Sequence, residues 1–201
     1  HLYLEGKGRS SPVVVAVHGR GGNARSMSPF FRVFPRDAHI ISLEAPFPDP
    51  DIGGMCWWLM EESMSKRKYE KIGGLLLKET DRLVSEYGLS KDSLFCIGFS
   101  QGGAILSVAL QLNPCYFKKA ALLASFTVRV DPPLPPSKDI EAKGAEVLII
   151  AGTKDEFVPL EMAQSGAVYL SEKGFKVSLF VEDIGHKVGR RGMARLRDFF
   201  A

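Results

Sequence analysis

The chain has 201 residues, 45% of them hydrophobic and 24% charged, which fits one domain with a sizeable core and excludes disordered, collagen-like and disulfide-scaffold classes. Lys and Arg number 26 against 23 Asp and Glu, a formal net charge of +3, too small for charge to point to nucleic acid or an acidic membrane surface. The longest apolar runs, such as Val13 to Val17, fall far below the ~18 residues of a spanning helix, so no stable membrane insertion is expected.

Taken in chain order, short apolar runs bounded by turn residues alternate with longer stretches at helical spacing, the pattern of β-α units around a mostly parallel sheet. Strands are expected at Val13 to Val17, Ile40 to Leu43, Ser93 to Ile97, Ala120 to Leu123, Val147 to Ile150 and Val177 to Val181. These runs are continuous, which suits strands covered on both faces. Helices are expected at Tyr69 to Glu86, ending at a glycine cap on Gly88, then at Ala104 to Leu112, Glu161 to Glu172 and Arg191 to Phe200. The Pro-rich stretch Asp131 to Pro136 is too short to separate two domains and reads as a surface loop, leaving a single domain over residues 1–201.

Cys56, Cys96 and Cys115 are odd in number and widely spaced, with no Cys-x-x-Cys pair and no His at metal-ligand spacing, so neither a disulfide framework nor a metal site is expected. A reducing, cytoplasmic setting is the simpler expectation. The chain begins at His1 rather than Met, so that expectation takes no support from the missing leader.

Gly98-Phe99-Ser100-Gln101-Gly102 matches G-x-S-x-G, a pattern that also arises by chance. Its weight comes from context: it follows a strand and opens a helix, where a serine on a tight elbow needs small neighbours. A serine hydroxyl is a poor nucleophile until a histidine held by a carboxylate takes its proton. Among His1, His18, His39 and His186, only His186 falls late in the chain on a loop after the last strand. For the carboxylate, Asp155 follows the strand ending at Ile150, whereas Asp183, three residues before His186, is poorly placed to grip the ring from behind. The order Ser100, Asp155, His186 is that of α/β-hydrolases.

An oxyanion hole needs two backbone N–H groups. Gln101, at the positive end of its helix, is one candidate. The other is Arg20, within His18-Gly19-Arg20-Gly21-Gly22, a segment that has neither Walker nor G-x-G-x-x-G spacing. The Arg20 guanidinium is then expected to be free at the pocket mouth, either facing solvent with no role or giving a mild preference for esters that carry an anionic group. Phe47, Met55, Trp57 and Trp58 could form an acyl-binding wall, with one tryptophan as readily in the core, and Phe157 is a further substrate-binding candidate. The basic C-terminal segment, Lys187 to Arg197, reads as a solvated face, and Cys96 as a small buried hydrophobe.

With these residues assembled, the chain resembles the phospholipase/carboxylesterase family of α/β-hydrolases over nearly its whole length. The marks are Val17-His18-Gly19-Arg20-Gly21, Ala45-Pro46, Gly54-Met55-Cys56-Trp57-Trp58, Gly98 to Gly103, Gly152 to Pro159 and Gly185-His186. The resemblance implies a mostly parallel sheet flanked by helices on both faces with no large lid domain, and the same triad and oxyanion-hole residues. It implies a small-molecule ester or acyl substrate and no cofactor, metal or nucleic acid; it does not specify an oligomeric state. Two positions depart from the family pattern. Arg20 stands where an apolar residue is usual, and Trp57-Trp58-Leu59 replaces Trp-Phe-Asp or Trp-Tyr-Asp, so substrate choice is where this chain would differ. The expected reaction is hydrolysis of carboxylic esters of short to medium acyl chains. The alternatives are an acyl-protein thioesterase or lysophospholipase for long chains and, from another class, a catalytically silent binding protein.

Overall fold

The computed structural model describes residues 1–60, 63–130 and 144–201; the expected loop at Asp131 to Pro136 lies outside them. Nine strands are formed among these residues: β1 (Leu2–Leu4), β2 (Val13–Val17), β3 (His39–Leu43), β4 (Phe47–Pro48), β5 (Met55–Cys56), β6 (Leu94–Phe99), β7 (Lys119–Leu123), β8 (Glu146–Gly152) and β9 (Lys176–Glu182). Four α-helices accompany them, α1 (Lys66–Glu86), α2 (Gln101–Leu112), α3 (Leu160–Glu172) and α4 (Arg190–Phe200), with a short 3-10 helix at Ser28–Val33.

The main sheet runs β1-β3-β2-β6-β7-β8-β9. Only the β1–β3 pair is antiparallel. All five β2 residues are completely buried, as the unbroken valine-rich run predicts for a strand covered on both faces. Alternation along β2 divides the core: Val13, Val15 and Val17 join the cluster beneath α1, α2 and α3, whereas Val14 and Ala16 join the one beneath the 3-10 helix and α4. Burying each such valine contributes about 1.5–3 kcal/mol, so both helical layers add to the stability of the sheet.

The six expected strands and four expected helices are all present, most of them lengthened by one to three residues at an end. Gly88 takes φ +62°, and Leu89 N–H donates to Val84 O at 2.9 Å, closing α1 as expected. The sequence does not announce β1, the β4–β5 hairpin or the 3-10 helix. Because β2, β6, β8 and β9 are parallel, their C-terminal ends share one edge. Residues 18–22, 100, 153–158 and 183–189 therefore converge there.

Candidate active site

Ser100 occupies the link between β6 and α2 with φ 52° and ψ −121°, a conformation that costs a non-glycine residue about 1–3 kcal/mol and persists only when its surroundings enforce it. They do so from both sides. Ser100 N–H donates to Leu123 O at 2.9 Å, and Ser125 Oγ donates to Ser100 O at 2.8 Å. A Cβ on Gly102 would lie 2.2 Å from Val17 O, and one on Gly103 would lie 2.6 Å from Ser125 Cβ and Oγ. Gly102 is thus required by close approach of the β2 backbone, and Gly103 by the Ser125 side chain.

His186 Nδ1 lies 2.8 Å from Asp155 Oδ2 and 3.0 Å from Oδ1. An ionised carboxylate only accepts, so Nδ1 carries the proton and Nε2 is left as an acceptor. Asp155 is held in turn by Phe157 N–H (3.0 Å) and Val158 N–H (2.9 Å), both donating to Oδ1. Its side chain is 1% exposed. The imidazole lies between Phe99 and Phe157, with ring centroids 5.1 and 5.2 Å away. Asp183 is elsewhere: its exposed carboxylate accepts from Thr153 Oγ1 and Lys154 Nζ, both at 2.7 Å.

Ser100 and His186 line one cavity of about 640 Å³, together with Arg20, Gln101, Trp58, Met60, Met64, Tyr69, Phe126 and Phe157. Ser100 also borders a second cavity of about 420 Å³, lined by the 19–22 loop, Phe30 and Lys187. Of the expected wall Phe47, Met55, Trp57 and Trp58, only Trp58 lines the larger cavity. Trp57 is a correction: it is buried, its indole N–H donates to His18 O at 2.8 Å, and its backbone N–H donates to Gln101 Oε1 at 3.0 Å. It props the loop after β2 and does not line the cavity that Ser100 and His186 share. Phe157 is 79% exposed at the larger cavity.

The Gln101 side chain was not anticipated. Besides accepting from Trp57 N–H, it donates through Nε2 to Trp58 O at 3.1 Å, fixing the aromatic segment against the elbow. Its amide begins α2, among the N–H groups that have no partner within a helix. Across the edge, His18 Nδ1–H donates to Gly19 O (2.7 Å) and Nε2 accepts from Ala45 N–H (3.0 Å). Burial pushes its pKa below the usual histidine value. Among the described residues the Arg20 amide has no hydrogen-bond partner.

The expected freedom of the Arg20 guanidinium is overturned. Nε and Nη2 bind the buried Asp49 carboxylate, and Nη2 also binds Asp51. Two carboxylates meet its charge, so the side chain is held and not free at the pocket mouth. The basic residues Lys187, Arg190, Arg191, Arg195 and Arg197 are all exposed, and Cys56, Cys96 and Cys115 are free, with Cys96 buried.

The sequence profile of the phospholipase/carboxylesterase family matches residues 4–201. The chain is 23% identical over 203 residues to the Bacillus subtilis (strain 168) protein named "Putative hydrolase MhqD", covering 100% of this chain and 96% of that one. Its fold is similar to that of the Bacillus cereus carboxylesterase, with a TM-score of 0.85 at 21% identity over 99% of this chain and 92% of the other. The carboxylesterase from Mesorhizobium loti follows at 0.80 and 24% identity, over 96% and 88% of the two chains.

Proposed function

The chain belongs to the phospholipase/carboxylesterase family of α/β-hydrolases, and from that premise we propose that it is a serine hydrolase cleaving carboxylic esters of short to medium acyl chains through an acyl-enzyme. Ser100 Oγ attacks the ester carbonyl while His186 Nε2 takes its proton, and the oxyanion accepts hydrogen bonds from the Arg20 and Gln101 amides. His186 then gives the proton to the departing alcohol. A water activated by the same nitrogen releases the acid and restores Ser100. Asp155 remains ionised throughout and holds the imidazole in the tautomer that leaves Nε2 basic.

The observation that carries this reading is the bond from His186 to buried Asp155, which leaves Nε2 as an acceptor in the cavity that Ser100 also lines. The substrate is a small ester, with no cofactor, metal or nucleic acid in the reaction. The three free cysteines support a cytoplasmic setting. A second reading, a thioesterase or lysophospholipase acting on long acyl chains, draws support from Ile52, Met60 and Phe157, large apolar side chains that line the cavity yet are 63%, 58% and 79% exposed.

One measurement tests the serine mechanism that both readings share, and a second decides between them. Ser100→Ala is expected to abolish turnover of p-nitrophenyl esters and labelling by a fluorophosphonate; a folded variant that labels like the parent would remove the serine mechanism. Across acyl chains from acetyl to palmitoyl, turnover is expected to peak at or below medium length, and a maximum at palmitoyl would select the second reading.

A further inference from the structure

We infer that Asp49 is a positioning residue for the oxyanion hole, holding the Arg20 amide in place by gripping the Arg20 side chain. The inference rests on the assignment of that amide to the hole, made above.

Gly19-Arg20-Gly21-Gly22 is a loop in which three of four residues have no side chain. Backbone bonds tie it at residues 19, 21 and 22: Gly22 N–H donates to Gly19 O at 3.2 Å, Gly21 N–H to Met55 O at 2.9 Å, and Met55 N–H to Gly22 O at 2.8 Å. Gly19 O, which also accepts from His18 Nδ1–H at 2.7 Å, and Gly21 N–H belong to the two peptide units that flank Arg20, so both planes are tethered by backbone atoms. The peptide unit between Gly19 and Arg20, whose N–H must aim at the developing oxyanion, is tethered through its carbonyl alone, and the glycines at 19 and 21 leave the backbone on either side soft to small rotations. The Arg20 side chain is the one further handle this loop offers.

That handle is gripped from β4–β5. The Asp49 carboxylate takes the guanidinium in a fork, Nε and Nη2 reaching its two oxygens, a planar geometry that fixes direction as well as distance. Asp49 is immobilised on its own side, since Oδ1 also accepts from Asp51 N–H (3.0 Å) and Ile52 N–H (3.2 Å), and its side chain is 1% exposed. Asp51 adds a second, exposed carboxylate on Nη2. The two loops interlock in their backbones as well: Gly54 has φ +70°, and a Cβ there would lie 2.1 Å from Gly21 O. Arg20 therefore acts at two ends. Its amide faces the reaction, and its guanidinium transmits the rigidity of the 49–54 turn to that amide.

Loss of one oxyanion donor costs about 10²–10³ in kcat, so a donor left in place but loosely aimed should cost about 10–100-fold. Asp49→Asn puts an N–H donor where the fork needs an acceptor. Its kcat for p-nitrophenyl butyrate should fall by about 10–100-fold with KM within about 2-fold, the pattern of an interaction made only in the transition state. The Ki of a trifluoromethyl ketone, whose hemiketal oxygen occupies the same hole, should rise by the same factor. Arg20→Lys replaces the fork by a point charge and should move both quantities in the same direction; it also decides the matter if Asp49→Asn does not fold. In a double variant the two losses should not multiply, because either change alone releases the same amide.

An Asp49→Asn enzyme with parental kcat and Ki would overturn the inference, and so would a raised KM with unchanged Ki, which would confine the ion pair to shaping the pocket mouth. Ser100→Ala measured alongside separates the two levels of failure. If it retains turnover, the serine mechanism itself falls; if it is inactive while Asp49→Asn is normal, only the positioning role falls.

Discussion

Asp155 and Asp183 sit on neighbouring loops at the same edge of the sheet, yet their surroundings assign them opposite parts. Asp155 is buried, accepts two backbone N–H groups and the His186 ring, and belongs to the turn leaving β8. Asp183 faces solvent and is satisfied by Thr153 and Lys154. Loss of the orienting carboxylate in a serine triad costs roughly 10⁴-fold in kcat. Asp155→Asn is thus expected to lose about that factor, while Asp183→Asn, breaking only an exposed pair, should stay within about 3-fold. Comparative kcat values for the two variants check this, and a larger loss at Asp183 would reverse the assignment. The partnership of Asp155 with His186 could be read from the chain because both follow strands that end at one edge. The partnership of Arg20 with Asp49 could not: it spans 29 positions between two irregular loops, and no periodicity connects them, so an arginine that reads as free is in fact held.

At the scale of elements, the legible parts are those whose burial leaves a pattern. β2, β6, β7 and β8 are covered on both faces and read as unbroken apolar runs. β1 has three residues, none of them fully buried, and β4 has two, both exposed. Such segments are set by pairing with a strand already in place, which a local pattern cannot encode. The elbow is the opposite case, because close packing there demands particular residues. Gly103→Val would force a side chain against Ser125, whose hydroxyl supports the Ser100 carbonyl, and should destabilise the protein by about 1–3 kcal/mol. Gly74, within α1, has nothing within 4 Å of an added Cβ, so Gly74→Ala should instead stabilise it by about 0.5–1 kcal/mol. Thermal melts of the two variants should shift in opposite directions. Equal destabilisation would mean that helix composition, and not the approach of α2 to the sheet, sets the glycine requirement.

For the molecule as a whole, His18 joins the main sheet to the loops that frame the site. It is fully buried at the end of β2, its ring bridges Gly19 O and Ala45 N–H, and its carbonyl accepts from the Trp57 indole. Only the neutral ring fits, since a proton on Nε2 would set two donors head-on at Ala45. Burial lowers the folded pKa from the ordinary 6.5, offset in part by the Gly19 carbonyl and the Glu44 carboxylate. The sign follows from proton counting: below about pH 6.5 the unfolded chain binds a proton at His18 that the folded chain refuses, so stability falls as pH falls, by at most about 1.4 kcal/mol per pH unit, until the folded pKa is passed. Above pH 6.5 this residue contributes no pH dependence. The Asp49 carboxyl, lowered to about 2 chiefly by its hydrogen bonds from Arg20, yields its contribution only as pH falls through 3.8 toward 2, well below the histidine range. Melting curves at pH 7.5, 6.5, 5.5 and 5.0 should therefore show a decline in the parent that is shallower in His18→Gln, which offers a donor and an acceptor that do not titrate. The variant is expected to be less stable at pH 7.5 because the amide cannot reproduce both ring contacts. Its smaller slope is the diagnostic, and parallel decline of the two proteins would place the origin of acid sensitivity elsewhere in the fold.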